Sequence, residues 1–159
     1  MKRAIYPGSF DPITNGHVDV VKRARSIFDE VTIAVAQNKD KRALFSIEER
    51  QDHIQTIFNN NDGILVDSFS GLLVDYARKK KVTTIIRGLR AVSDFEFEFQ
   101  MSLTNRSLDN EIDTVFLMTD AKYSYLSSSL VKEVTYLKGD IGQFVPDVVY
   151  QELCKKLQT

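Results

Sequence analysis

The sequence predicts an α/β fold: one doubly wound, Rossmann-like domain over residues 1–159, with a five-stranded parallel sheet in the order 3-2-1-4-5 and C-terminal helices. Two observations predict it. Strand-like and helix-like segments alternate along the chain, which is typical of parallel strands joined by crossover helices. Apolar runs such as Val31–Ala36 are nearly continuous, as expected of strands covered on both faces.

The first half of the chain predicts three strands and two helices. Apolar residues recur at helical spacing between Asn15 and Phe28, which predicts the first helix. Ser46 and Glu49 have the spacing of a capping box, which predicts that a second helix begins there and runs to Phe58. The strands predicted around these helices are Arg3–Tyr6, Val31–Ala36 and Gly63–Phe69.

The second half continues the alternation. A helix is predicted over Leu72–Lys80, because its basic C-terminal end suits the helix dipole. Another begins at Pro146, since proline fits the first turn of a helix, and runs to Leu157. The remaining predicted elements are the strands Thr83–Gly88 and Asp113–Met118 and the helices Ser93–Leu108 and Leu130–Leu137.

Composition excludes several classes of protein. The net charge of −1 argues against a nucleic-acid binder that relies on many phosphate contacts. No apolar run approaches the roughly 18 residues of a membrane span, and the N-terminus lacks the apolar core of a signal peptide. The single cysteine, Cys154, suits a reducing compartment and is expected to be inert on a helix face. We therefore expect a cytoplasmic protein.

Unusual residues cluster where three predicted strands end. The segment PGSFDPITNGH (residues 7–17) follows the first strand, RGLR (87–90) lies at the end of the fourth, and YSYLSSS (123–129) follows the fifth. In the predicted strand order the first and fourth strands are neighbours at the point where the order reverses. Because such sheets bind ligands there, we expect the three segments to face one crevice.

The first segment predicts an anion site at a helix N-terminus. Thr14 is a good N-cap, which places His17 in the first turn beside free backbone N–H groups that attract phosphate. Gly16 allows close approach of a ligand, and Gly8 is expected to let the turn bend back. A structural histidine packed under the loop is the alternative. Asp11 is predicted to form the turn rather than to act as a base.

The other two segments offer further phosphate contacts. Arg87 and Arg90 flank a glycine, and arginine forks match phosphate oxygens. The nearby Asp94, Glu96 and Glu98 are expected to be mostly solvated, although one of them is a candidate for a ribose hydroxyl. The serines at 127–129 either cap the next helix or contact a second phosphate region. Lys41 and Arg42 form a basic loop that is either mobile or solvated.

The sequence shows no metal cluster and no pair of nucleophile and base. The only histidines are His17 and His53, and His53 lies in the middle of a predicted helix with no cysteine or second histidine at metal-binding spacing. Phosphate-binding residues without a nucleophile favour direct in-line transfer, in which the protein positions reactants and stabilises charge. The residues alone thus indicate nucleotide or phosphate binding, without naming the reaction.

Three motifs resemble those of a known enzyme family. Thr14–His17 carries the T/HxGH signature of the nucleotidyltransferase superfamily. The segments IIRGLRAVSDFEFE (85–98) and SSSLVKEV (127–134), together with the length, resemble the bacterial phosphopantetheine adenylyltransferases from Arg3 to about Leu157. The resemblance implies transfer of an adenylyl group from ATP to 4′-phosphopantetheine, giving dephospho-coenzyme A and pyrophosphate. It also implies Mg²⁺ bound with ATP, a cytoplasmic homohexamer, and no metal ligand from the protein.

The resemblance also assigns roles to residues. His17 matches the transition-state stabiliser, and Lys41 and Arg90 match further catalytic positions. Ser9, Lys41, Leu73 and Arg87 match contacts to phosphopantetheine, Arg42 being a candidate to share the role of Lys41. The matched ATP contacts are Ser9, Phe10, His17, Gly88, Leu89, Arg90, Glu98, Tyr123, Ser124, Tyr125, Leu126, Ser127, Ser128 and Ser129.

The sequence departs from the family pattern at three positions. Leu73 replaces a frequent methionine, Phe97 a common tyrosine, and Leu126 a usual isoleucine. Two other functions stay open at this level. One is a related transferase acting on a different acceptor, such as nicotinamide mononucleotide, against which RGLRAVSDFE argues. The other is a nucleotide sensor without catalysis, against which His17 argues.

Overall fold

The computed structural model describes residues 1–37, 42–59, 62–90 and 92–158. The strands are β1 (Arg3–Gly8), β2 (Glu30–Gln37), β3 (Ile64–Ser70), β4 (Thr84–Leu89) and β5 (Asp113–Met118). The helices are α1 (Asn15–Arg25), α2 (Ile47–Ile57), α3 (Leu73–Lys80), α4 (Val92–Leu108), α5 (Ser128–Tyr136) and α6 (Asp147–Leu157), with a short 3₁₀ helix at Ala121–Tyr123.

The five strands form one parallel sheet in the order β3-β2-β1-β4-β5, which confirms the predicted topology. In register, β1 pairs with β2 from Arg3 opposite Glu30 to Gly8 opposite Val35. On its other side β1 pairs with β4 at Ile5 and Ile85. The switch in strand order therefore lies between β1 and β4, next to the predicted site segments.

Helices cover both faces of the sheet and create two cores. Successive strand residues point to opposite faces, so Tyr6 and Ile86 join one core while Ile5 and Ile85 join the other. The larger core contains buried residues of α1, α2, α5 and α6, and the smaller one is covered by α3. This two-sided burial explains the continuous apolar strands, such as Val31–Val35, whose side chains are all buried.

Several elements differ from the prediction at their ends. The first helix ends at Arg25, three residues early, although the N–H of Phe28 still donates to the carbonyl of Ala24 at 2.9 Å. The helix predicted to begin at Leu130 begins at Ser128, because Ser127 is its N-cap. Pro146 is likewise an N-cap and lies just outside α6. The capping box of Ser46 and Glu49 is confirmed.

Helix α4 leaves much apolar surface uncovered. Phe95 and Phe99 stack with ring centroids 5.7 Å apart, as their shared face predicts, and each remains nearly half exposed. Other exposed apolar side chains of the same helix are Phe97, Met101, Leu103 and Leu108. None of the helices among the described residues is both long and apolar enough to span a bilayer.

Candidate active site

A cavity of about 490 Å³ lies at the carboxyl ends of β1, β2 and β4. Its volume is in the range of small-molecule sites, which run from about 300 to 1,000 Å³. The cavity brings together parts of all three predicted segments. The predicted site residues that line it are Ser9, Phe10, His17, Arg87, Gly88, Arg90, Glu98, Leu126, Ser127, Ser128 and Ser129, and Arg42 lines it as well.

Other predicted site residues do not line the cavity. Leu73 is partly buried at the start of α3, where it packs against the smaller core. Leu89, Tyr123, Ser124 and Tyr125 lie on the same segments as lining residues but outside the lining itself. Lys41 falls outside the described residues. The binding roles of these residues stay predictions.

His17 is fixed by the first turn of α1, as the capping motif predicts. The backbone N–H of Thr14 donates to His17 Nδ1 at 3.0 Å, and the His17 N–H approaches Thr14 Oγ1 at 3.4 Å. The two residues thus satisfy each other's polar groups in a capping box, with histidine in the place usually taken by glutamate or glutamine. The imidazole is held in one orientation at the cavity wall.

These contacts define the protonation state of His17. Because Nδ1 accepts from a backbone N–H, the proton of the neutral ring resides on Nε2. Burial, together with the positive charges of Arg90 and Arg87, lowers the pKa of His17 to about 4. The ring is therefore neutral at pH 7. It presents Nε2–H as a donor for a phosphate oxygen.

Aromatic side chains hold the imidazole ring from the β1 side. The Phe10 ring meets His17 edge to face, with centroids 5.2 Å apart, and Tyr6 meets Phe10 in the same way at 5.3 Å. Burial raises the pKa of Tyr6, so its hydroxyl stays protonated. This cluster limits the rotation of His17.

Gly8 lies where β1 ends and the loop begins. Gly8 is the last residue of β1 and does not have a positive φ; the left-handed residue of this loop is Phe10, with φ of 48°. A Cβ at Gly8 would lie 2.9 Å from the Phe10 ring, so glycine is needed there for space. A Cβ at Gly16 would meet only ordinary contacts at 3.5 Å, to Thr14 and Tyr123.

Arg87 forms a bidentate ion pair with Glu98, both hydrogen bonds measuring 2.6 Å. Glu98 is only 8% exposed, so the expectation that it is solvated is wrong. Burial opposes the charge of Arg87, but the hydrogen bond and charge of Glu98 hold the pKa of Arg87 above its usual value. Arg87 also donates to the carbonyl of Pro7 at 2.9 Å, which ties β4 to the end of β1.

Arg90 links the second segment to the third. Its Nη1 donates to the carbonyl of Leu126 at 2.7 Å, and its Nε donates to Asp94 at 3.1 Å. Asp94 is thus paired with a cation instead of merely solvated. Glu96 is exposed, as expected. The arrangement holds the loop before α5 against the end of β4.

The three serines have different roles. The hydroxyl of Ser127 accepts from the N–H of Leu130 at 3.1 Å and caps α5, which confirms the capping alternative for this serine. Ser128 donates its hydroxyl to the carbonyl of Pro12 at 2.8 Å, which joins α5 to the first segment. Ser129 is exposed at the cavity. The start of α5 therefore faces the cavity, where a helix N-terminus favours an anion.

Asp11 organises the floor of the site. Its carboxylate accepts from the N–H groups of Leu44 and Phe45, both at 2.9 Å, and pairs with Lys132 at 3.2 Å. The turn assignment is correct, since Asp11 lies in a turn, but its buried carboxylate also anchors the segment before α2. Sequence reasoning missed the lining residues Lys132, Arg50 and Tyr6. Lys132 lies within the SSSLVKEV motif but was assigned no role, whereas Tyr6 and Arg50 lie outside the three predicted site segments.

The described residues contain no group of three or more histidine, cysteine, aspartate or glutamate side chains able to hold a metal ion. The carboxylates that line the cavity are already engaged: Asp11 with Lys132, Asp94 with Arg90, and Glu98 with Arg87.

Comparison with known proteins gives a consistent result. Residues 5–134 match the family model described as cytidylyltransferase-like. The chain is 58% identical to a phosphopantetheine adenylyltransferase of Alkaliphilus metalliredigens, over 98% of this chain and 99% of the relative. It is 52% identical to a protein of the same name from Desulfosudis oleivorans, over 99% of this chain and 94% of the relative.

Solved structures with lower identity share the fold. A nicotinic acid mononucleotide adenylyltransferase of Plasmodium falciparum, complexed with NaAD, superposes with a TM-score of 0.73 at 17% identity, covering 98% of this chain and 96% of that one. A bifunctional NMN adenylyltransferase/ADP ribose pyrophosphatase from Francisella tularensis gives a TM-score of 0.73 at 15% identity, over 99% of this chain and 49% of that one. These likenesses concern the fold alone.

Proposed function

The chain belongs to the phosphopantetheine adenylyltransferases of the cytidylyltransferase-like family, and we propose that it makes dephospho-coenzyme A and pyrophosphate from ATP and 4′-phosphopantetheine. One observation carries the proposal: identity of 52–58% to the relatives cited above extends over nearly the whole chain. The cavity agrees with it, because a neutral histidine donor lies among arginines beside an open helix N-terminus.

The proposed mechanism is a direct in-line transfer. A phosphate oxygen of phosphopantetheine attacks the α-phosphorus of ATP, a new P–O bond forms, and the bond from the α-phosphorus to the bridging oxygen of the β-phosphate breaks. The electron pair leaves with pyrophosphate. The substrate phosphate is its own nucleophile, so the protein has to position the two anions and stabilise charge.

His17 is proposed to stabilise the transition state. Its Nε2–H donates to a non-bridging oxygen of the α-phosphate while negative charge redistributes there. The donor is preorganised, because Thr14 fixes the other ring nitrogen and Phe10 packs against the ring. A preorganised donor in a partly enclosed site does not have to be reoriented at the moment of reaction.

The paired arginines are proposed to bind the reactants without large rearrangement. Arg87 uses Nε and Nη2 for Glu98 but retains further N–H groups for the phosphate of phosphopantetheine. Arg90 likewise retains N–H groups for ATP while it holds the Leu126 loop. Mg²⁺, if bound with ATP, would be held by the phosphates of ATP and not by a protein carboxylate, and would supply neutralisation of part of their charge.

Self-association through α4 is part of the proposal. Several apolar side chains of α4 remain exposed, among them Phe95 and Phe99. A monomeric protein does not normally expose this much apolar surface on one helix. A homohexamer, as the family resemblance implies, is the assembly proposed to cover them. The proposed location is the cytoplasm, for which the single thiol, Cys154, is suited.

The test is product formation by the purified chain. With Mg²⁺, ATP and 4′-phosphopantetheine, mass spectrometry is expected to detect dephospho-coenzyme A in equal amount to the pyrophosphate released. Parallel reactions with nicotinamide mononucleotide are expected to give none. Turnover with nicotinamide mononucleotide alone would show that this compound, and not 4′-phosphopantetheine, is the acceptor. Binding of ATP without turnover on any acceptor would favour a nucleotide sensor.

A further inference from the structure

Arg50 has an unusual environment for a buried cation. It lies on α2 and is 5% exposed. Its Nη1 donates to the carbonyls of Ser9, at 2.8 Å, and Ala36, at 3.4 Å, and its Nε donates to the carbonyl of Ser46 at 3.2 Å. The guanidinium thus bridges the ends of β1 and β2 to the start of α2. Each of these partners is a neutral carbonyl group.

One nitrogen of Arg50 is left without a partner. Nη2 makes no hydrogen bond within the described part of the chain. Nη2 is nevertheless not fully buried. Among the described residues, the one fully buried side-chain polar atom that lacks a hydrogen bond is Nδ1 of His53. Because Nη2 of Arg50 also lacks a hydrogen bond and is a different atom, part of its surface must be accessible. Since Arg50 lines the cavity and is otherwise covered, Nη2 opens onto the cavity.

The charge of Arg50 also lacks compensation. Over residues 1–37, 42–59, 62–90 and 92–158, no carboxylate lies within 4.0 Å of its guanidinium. Three other cations that line the cavity, Arg87, Arg90 and Lys132, are each paired with an acidic side chain. A buried charge without a counterion is costly, and an anionic ligand would remove that cost.

We propose that Arg50 is a ligand-binding residue, forming with Arg42 an anion subsite on the β2 side of the cavity for a phosphate group of one of the two reactants. The subsite deepens the proposed function and rests on it. Arg42, which is exposed, also lines the cavity, and it belongs to the segment that joins β2 to α2. Arg50 also fixes the carbonyl of Ser9, so the subsite adjoins the loop predicted to touch both substrates.

The test is calorimetric binding of four probes to the full chain and three variants. The probes are 4′-phosphopantetheine, pantetheine, ATP and adenosine. The variants are Arg50→Met, which keeps volume without charge, Arg50→Lys, which keeps charge without the planar fork, and Arg78→Met as a control. Arg78 also donates to a backbone carbonyl, that of Leu108, but it does not line the cavity.

Arg50→Met is expected to weaken binding of at least one phosphate-bearing probe by about 10- to 100-fold, the loss typical of a hydrogen bond to a charged group. Arg50→Lys is expected to lose less affinity for the phosphate-bearing probes than Arg50→Met, and Arg78→Met is expected to lose none. A loss confined to 4′-phosphopantetheine assigns the subsite to the acceptor, and a loss confined to ATP assigns it to the triphosphate. Pantetheine and adenosine are expected to bind each variant as they bind the wild type.

The subsite is overturned if folded Arg50→Met binds both phosphate-bearing probes within twofold of wild type. If that variant does not fold, Arg50→Lys decides, because a compact ammonium lacks the planar fork with which the guanidinium reaches the carbonyls of Ser46 and Ser9 and still presents Nη2 to the cavity. Wild-type affinity in Arg50→Lys then overturns the subsite. Failure of the proposed function is distinguishable, since it shows as absent turnover in the wild type whatever the affinities of the variants.

Discussion

Replacing His17 with alanine separates transition-state stabilisation from ground-state binding. The variant removes the Nε2–H donor and leaves Arg87 and Arg90 in place. Because the donor is proposed to act as charge redistributes on the α-phosphate, its loss is expected to lower kcat and kcat/KM together. The affinity for ATP is expected to stay within several-fold of wild type.

The size of the effect follows from the geometry. His17 supplies one preorganised donor, and removal of one such donor elsewhere lowers kcat by about 10²–10³, which is about 2.7–4 kcal/mol. The variant also breaks the capping box, because the N–H of Thr14 loses its acceptor at Nδ1. Loss of a helix cap costs about 0.5–2 kcal/mol of stability, so a fall of a few degrees in Tm is expected alongside.

The assay is steady-state pyrophosphate release at saturating ATP and 4′-phosphopantetheine, with ATP affinity measured by calorimetry. Ser46→Ala is the matched control, since it breaks the second capping box, at α2, without touching His17. The Tm of the control is expected to fall by a similar amount to that of His17→Ala, while its kcat stays within about twofold of wild type. A His17→Ala enzyme with kcat within about fivefold of wild type would refute the assigned role.

Three further predictions concern protonation, acceptor binding and assembly. In an NMR titration of the free protein, His17 is expected to titrate near pH 4, because burial and the neighbouring arginines lower its pKa; a midpoint near 6.5 contradicts the description of the site. Arg87→Ala is expected to weaken 4′-phosphopantetheine binding by about tenfold or more and to lower Tm, since Glu98 is left buried without its partner; unchanged affinity in calorimetry counts against the role. Phe99→Asp is expected to break the proposed assembly into smaller species, as measured by light scattering. Ile27→Asp, at an exposed apolar residue of another segment, is expected to leave the assembly intact. If the molar mass is unchanged in both variants, the interface does not lie on α4.

Short-range sequence patterns predicted the helices, the strands and the parallel sheet of this molecule. The capping residues Thr14 and Ser46 act within three residues of their partners, so spacing alone finds them. The parallel sheet followed from the alternation of elements and from the apolar runs, which reflect burial on both sides of the sheet. The strand order was taken from the usual order of doubly wound sheets, and neither observation fixes it. The crevice followed from topology, since the carboxyl ends of parallel strands meet at one edge.

Contacts between distant segments were not predictable in the same way. Glu98 was expected in solvent, because helical periodicity does not reveal that Arg87 lies across from it at 2.6 Å. Arg50 reaches the carbonyl of Ser9, 41 residues earlier, from the first half of an ordinary amphipathic helix. Such pairings depend on how helices pack on the sheet, and a single sequence carries no local mark of them.

The stereochemical course at the α-phosphorus tests the central claim most directly. With ATP made chiral by sulfur at the α-phosphate, one in-line displacement by the phosphate of 4′-phosphopantetheine inverts the configuration in the dephospho-coenzyme A analogue, which phosphorus NMR of the product can assign. Inversion is the result expected of two anions held end to end in one cavity. Retention would mean that a group of the protein is adenylylated first, and it would contradict the proposed direct transfer.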